Sequence, residues 1–133
     1  MTNADFARDV LLLIGVIPEG MEATEEQCQT VLRAMNDLVD EWADSGVSVN
    51  WSPQSNSTDD FTLFGGEVSA AKYNLAVRLC PVYGKEPSGG LLLSAGQSYQ
   101  RMLRNQLNRE VQEIEVIQPQ AEGTRQWFDI TSG

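Results

Sequence analysis

Histidine is absent from the sequence. That excludes a His-based nucleophile relay, a His-ligated metal site and a proton shuttle that titrates unperturbed near neutral pH. Cysteine is scarce: Cys28 and Cys80 stand 52 positions apart with no CxxC pairing. Both fall in amphipathic stretches, the pattern of two buried, reduced thiols in a cytosolic product rather than of a disulfide framework or a metal site. Basic side chains are also few, 9 Lys and Arg against 19 Asp and Glu, for a net charge of -10. Such a balance argues against a surface that wraps or reads DNA, because that mode of binding releases counterions through many Lys and Arg contacts to phosphate. The longest apolar run is Val10 to Ile14, far short of the ~18 residues of a membrane span. The first residues, Met-Thr-Asn-Ala-Asp, are acidic where a signal peptide would be basic. A soluble, unexported chain with no membrane partner is expected, and no internal repeat is visible.

What is present amounts to one domain. The chain has 133 residues, 41% hydrophobic and 21% charged, enough apolar side chain for a core and too little charge excess for disorder. The charge is uneven. Residues 1 to 60 hold 12 acids and 2 bases, while residues 61 to 133 hold 7 of each.

Helical spacing dominates residues 3 to 110. Phe6, Val10, Leu13 and Ile14 form a first stripe, with Thr2 or Asn3 as N-cap, Asp5 in the first turn, Gly15 as stop and Pro18 beyond it. Thr24 and Gln27 have capping-box spacing, with Glu25 and Glu26 at the positive end of the helix dipole. From there Cys28, Val31, Leu32, Met35, Leu38, Val39 and Trp42 step by three and four as far as Ser45-Gly46. A third helix with Val68, Ala71, Leu75 and Leu79 ends at Pro81. A fourth carries Leu92, Ala95, Tyr99, Met102, Leu103 and Leu107 to about Glu110. The expected helices therefore cover residues 3 to 15, 24 to 45, 67 to 80 and 89 to 110.

Between the second and third helices, Val47 to Trp51 alternates like a short strand, and Ser52 to Asp60 is a polar loop without a packing residue. Phe61, Leu63 and Phe64 follow it, with no evident way to bury them within a four-helix pattern, and read as a contact loop. After Glu110, Val111 to Ile117 alternates in a manner closer to an extended strand, and Pro119 breaks the chain. The tail then gathers Trp127, Phe128 and Ile130, a cluster of the kind that docks on a partner. The expected fold is all-α: a four-helix bundle-like domain over residues 1 to 110 with a long polar loop, then an extended C-terminal docking tail over residues 111 to 133.

Three patches carry a resemblance. They are Leu13-Ile14-Gly15-Val16; then Leu38-Val39-Asp40-Glu41-Trp42 followed by Asp44-Ser45-Gly46; and Tyr73-Asn74-Leu75-Ala76-Val77-Arg78-Leu79-Cys80-Pro81-Val82-Tyr83-Gly84. In order and spacing the chain resembles the head-to-tail adaptors of tailed phages, also called head-completion or packaged-DNA-stabilising proteins. The likeness covers roughly residues 3 to 109; the loop from Ser52 to Phe64 and the tail after Glu110 match nothing in it. The resemblance implies a ring, generally of twelve copies, beneath the portal protein at the virion neck, made in the host cytoplasm. That ring would prolong the DNA channel, retain packaged DNA and offer a platform to a downstream tail or nozzle protein. Double-stranded DNA would pass through it without specific binding. The implied role is structural, so no catalytic residue, metal or cofactor is carried over.

A closed ring needs two different, complementary patches on one subunit. Asp37, Asp40, Glu41 and Asp44 lie on the second helix away from its apolar stripe, and Arg101, Arg104 and Arg109 lie along the fourth. They can be solvated faces, a ring interface between neighbouring copies, or a channel lining. The tail anchors Trp127, Phe128 and Ile130 are expected on the portal, and Phe61, Leu63 and Phe64 on a tail component or a neighbour. Two other readings compete. Carboxylate pairs drawn from Glu25 and Glu26 or Asp59 and Asp60 could serve a glycoside hydrolase, although helix-end and loop roles explain them. A small helical interaction or regulatory module of another assembly would share the fold and composition.

Overall fold

The computed structural model describes residues 1–117, and their side chains as far as residue 111. Among the described residues four α-helices follow in order, α1 (Asn3–Leu13), α2 (Glu25–Asp44), α3 (Gly66–Leu79) and α4 (Gly89–Ile117), with a 3-10 turn at Pro81–Tyr83. The architecture is the all-α bundle-like one that the spacing predicts. The chain divides into a compact unit of residues 1–102 and a second of residues 103–133. All packing described below lies in the first.

Both expected N-terminal signals form. Thr2 Oγ1 accepts from the Asp5 N–H and Asp5 Oδ2 from the Thr2 N–H, and Thr24 and Gln27 repeat the arrangement at α2. Each box satisfies two of the free donors at a helix start. Gly15 and Gly46, at φ 72° and 85°, turn the chain away from α1 and α2 in the left-handed region where a side chain would be strained.

The core is formed where α1, α2 and α3 pack pairwise. Phe6, Ala7, Val10 and Leu11 of α1 meet Val31, Leu32, Met35 and Leu38 of α2, and Ala70, Ala71, Leu75, Ala76 and Leu79 of α3, all buried. The three alanines keep α3 slim on the face it presents to the other two helices. Cys28 and Cys80 are free thiols within this core, and burial raises the pKa of both, which keeps them protonated and unreactive. Ala95, Ser98 and Met102 of α4 are buried, Asn74 Nδ2 donates to the Ala95 carbonyl, and Tyr99 lies 5.7 Å from the Trp42 ring. The buried face of α4 thus runs through Ala95, Ser98 and Met102. Leu92 and Leu107, placed on the core stripe by periodicity, are 50% and 58% exposed.

Three further expectations are corrected. Val47 to Trp51 is irregular and not a strand; among the described residues the one ladder-type pairing is an isolated bridge between Thr2 and Asp60. An alternating pattern needs a partner strand to satisfy its backbone, and none is at hand. The Trp51 indole N–H donates instead to Asn36 Oδ1 of α2. Val111–Ile117 is helical, the continuation of α4. No glycine or proline stands between Gly96 and Pro119, so each added residue extends an existing helix with no new nucleation cost. Finally, Phe61 and Leu63 are buried, at 9% and 5% exposure, while Phe64 is 59% exposed. Phe61 stacks on Phe6 with ring centroids 4.1 Å apart and leans on Trp51 at 5.5 Å.

The loop before Phe61 is held by polar contacts. The Asn3 and Ala4 N–H groups, free donors at the start of α1, donate to the carbonyls of Asp59 and Ser57 at 2.9 Å each. Asn3 is itself fully buried, and its amide donates to Gln54 Oε1 and to the Asn56 carbonyl. Asn36 grips the loop hardest: it accepts from the Trp51 indole and the Gln54 N–H and donates to the Gln54 carbonyl. Asn36→Ala strands those groups and is expected to cost about 1–3 kcal/mol, read as a lower urea midpoint at unchanged slope. A loss under a few tenths of a kcal/mol would show that water replaces Asn36 freely.

Candidate interaction surfaces

The three motif patches resolve into structural work. Trp42 is buried at the end of α2 and its carbonyl accepts from the Val47 N–H, folding the chain back over the helix end. Asn74 donates to the carbonyls of Ala70 and Ala95 and so joins α3 to α4. Gly84, at φ 67°, follows the 3-10 turn, and the Lys85 N–H returns to the Cys80 carbonyl. Arg78 reaches from α3 to Glu41 of α2, where its Nη1 donates to Oε2. Sequence reasoning passed over Arg78 as an ion-pair partner, although its place inside the third patch marked it.

That pair changes the reading of the acidic face. Asp37, Asp40, Glu41 and Asp44 are all exposed on α2, but Glu41 is committed within the protomer and Arg78 holds its carboxyl below the ordinary value of 4.5. The same bond raises the pKa of its partner Arg78 further above its ordinary value. Asp37, Asp40 and Asp44 are in no ion pair among the described residues. Arg101, Arg104 and Arg109 on α4 are exposed, and Arg109 Nε donates to the Asn105 carbonyl one turn back. The tail anchors Trp127, Phe128 and Ile130 lie outside the described residues.

Of the carboxylates weighed for hydrolysis, Glu25 is tied into the domain. Glu25 Oε1 accepts from Gln29 Nε2 at 3.0 Å and Oε2 from Ser57 Oγ at 2.8 Å. The Gln29 bond first, and the Ser57 bond after it, hold Glu25 below 4.5, the opposite of what a proton-donating acid requires. Asp59 and Asp60 are exposed and serve α1 and Thr2 through their backbone, and Glu26 is exposed. Among the described residues no group of three or more Asp, Glu or Cys is placed to hold a metal ion, and no helix is long and apolar enough to cross a membrane.

The depressed carboxyls predict the acid limb of stability. Asp5, held down chiefly by the Thr2 N–H, has an ordinary value of 3.8, and Glu25 and Glu41 have 4.5. A group whose folded pKa lies below its unfolded one stabilises fully above the unfolded value and loses that contribution as pH falls through the folded one. The urea midpoint should therefore drop between about pH 5 and about pH 3, each group adding little because it is exposed. Glu41→Gln and Glu25→Gln should flatten the drop; an unchanged profile in both would sink the assignment.

Large apolar side chains remain on the surface: Phe64 before α3, Val82 in the 3-10 turn, and Leu92 and Leu93 in the first turns of α4. A comparison with curated proteins returns no match. A family model described as P22 tail accessory factor matches residues 2–126. The match takes in all four helices and stops just short of Trp127, Phe128 and Ile130. That match over most of the chain suggests a virion structural role, and the chain belongs to the P22 tail accessory factor family of phage tail-related proteins.

Proposed function

We propose that the protein is a structural head-to-tail adaptor rather than an enzyme. In this reading copies form a ring, generally of twelve, beneath the portal protein at the virion neck. The ring prolongs the DNA channel, retains packaged DNA and receives the next tail component. The observation that carries the reading is the family match over residues 2–126, joined to the ordered helix-end patches. A net charge of -10 repeated around a ring would let DNA slide past without being held, since phosphate-neutralising contacts would be few.

The C-terminal segment is the proposed portal anchor through Trp127, Phe128 and Ile130. A buried aromatic at an interface is often worth ~2 kcal/mol or more, and repetition around a ring multiplies the effect. Of the three loop residues first assigned to a tail component or neighbour, Phe64 retains that role, because Phe61 and Leu63 are used inside the domain. The purified chain is expected to be a monomer or small oligomer that forms its ring on the portal.

Truncation after Ile117 tests the anchor. Circular dichroism should report the helices intact, and particles made with the truncated chain should lose portal attachment and leak DNA. Particles that stay filled and tailed would remove the segment as anchor and leave Phe64 as the next candidate. Native mass spectrometry of isolated necks tests the ring itself, and a fixed complex of a few copies would replace it with a small interaction module.

A further inference from the structure

The exposed faces of α2 and α4 carry opposite charge. On α2, Asp37, Asp40 and Asp44 follow at intervals of three and four residues, opposite the buried Leu38 and Trp42, and span about 10 Å along the axis at 1.5 Å per residue. On α4, Gln97, Arg101, Arg104 and Asn108 follow at four, three and four, all exposed, on a line turned away from the buried Ala95, Ser98 and Met102. No Asp or Glu occurs between Glu86 and Glu110. In a chain of 19 acids this is a long acid-free helix stretch, and Arg101 and Arg104 are in no ion pair among the described residues. The Glu41–Arg78 bond takes Glu41 out of the α2 row and the same arginine also feels Asp37, so Asp40 and Asp44 are the carboxylates the row chiefly offers.

We propose that the Arg101–Arg104 face of one copy seats on the Asp37–Asp40–Asp44 face of the next, a heterologous contact that gives the ring its order and direction; it rests on the ring reading above. The occupant of each face is a second copy because the complement of each is present on the same chain. Arg101 and Arg104 rise about 4.5 Å apart and Asp40 and Asp44 about 6 Å, so two planar guanidinium groups can each meet a carboxylate without either helix distorting. Two different faces on one subunit propagate from copy to copy, and close where the rotation allows. Duplex DNA is the weaker occupant of the arginine face, since the acidic remainder of the chain repels phosphate. Charge pairs of this kind set register and partner choice more than strength, and they weaken as salt rises.

Particles carrying Arg101→Lys/Arg104→Lys, which keeps the charge and supplies amines, test the contact by carbodiimide cross-linking at zero length. The expected product is a ladder of linked copies, absent from wild-type particles, whose joined peptides pair the new lysines with Asp37, Asp40 or Asp44. Mixed light and heavy isotope labelling of the chain assigns each link to two copies rather than one. A ladder joined elsewhere, or no link between copies, overturns this interface and leaves the ring reading standing, because the ring itself is decided by native mass spectrometry of the necks. Lysines that cross-link to packaged DNA with formaldehyde and not to α2 overturn the proposal in favour of a channel lining. Independently, Arg101→Asp/Arg104→Asp should lower the copies per particle about tenfold, and adding Asp40→Arg/Asp44→Arg should restore them. Failure of that rescue, with all variants folded by circular dichroism, also overturns it.

Discussion

Replacing Phe61 with alanine is expected to destabilise the domain by about 3–5 kcal/mol, a large part of the 5–15 kcal/mol that holds an ordinary domain folded. Phe61 lies between the rings of Phe6 and Trp51, and its N–H donates to the Met1 carbonyl at 2.9 Å. The ring therefore closes the core over the first turn of α1 and holds the polar loop against it. Its loss leaves a cavity bounded by Phe6, itself 1% exposed, which cannot collapse without moving α1. Phe64→Ala is the internal control, because that side chain is 59% exposed and its loss should change stability by less than about 0.5 kcal/mol. A denaturant titration decides between them. Near-equal, small losses at the two positions would return Phe61 to the role of a surface contact residue.

Trp42→Ala should cost a similar ~3–5 kcal/mol. Trp42 is 6% exposed and is the last core residue of α2, and its ring meets Tyr99 of α4. Truncation opens both the α2–α4 contact and the floor beneath Val47, which is buried where the chain turns back. Asp44→Ala, two residues on and exposed, should stay within about 0.5 kcal/mol and separates loss of packing from loss of helix. The two variants should also differ in kind. Phe61→Ala frees the loop and N-terminus, whereas Trp42→Ala loosens α4, so hydrogen exchange should quicken first at residues 1–5 in the former and at residues 95–102 in the latter. A Trp42→Ala loss under about 1 kcal/mol would mean that α2 presents another face to the core.

Both predictions turn on what could and could not be read before folding. The helices of residues 3 to 80 were legible because their signals are local: Thr2 with Asp5 and Thr24 with Gln27 act across three residues, and the stripes of α1 and α2 repeat within one or two turns. The same spacing placed the acids of α2 and the arginines of α4 on faces turned from the core. The absence of histidine excluded whole classes of chemistry, and the order of the helix-end patches pointed to the phage family.

Tertiary structure decided the rest, because the deciding partners are far apart in the chain. Asn3 meets Asn56 across 53 positions, Arg78 meets Glu41 across 37, and Trp51 meets Asn36 across 15. No periodicity in Val47 to Phe64 encodes those meetings. Alternation at Val47 to Trp51 is compatible with a strand, yet a strand forms only where another can pair with it. Alternation at Val111 to Ile117 is overridden by the helix already formed before it. Hydrophobic residues in a loop, such as Phe61 and Leu63, announce only that they must be covered. Whether a partner or the domain's own core covers them depends on where the fold leaves room, and the rings of Phe6 and Trp51, against which Phe61 packs, supply that room here.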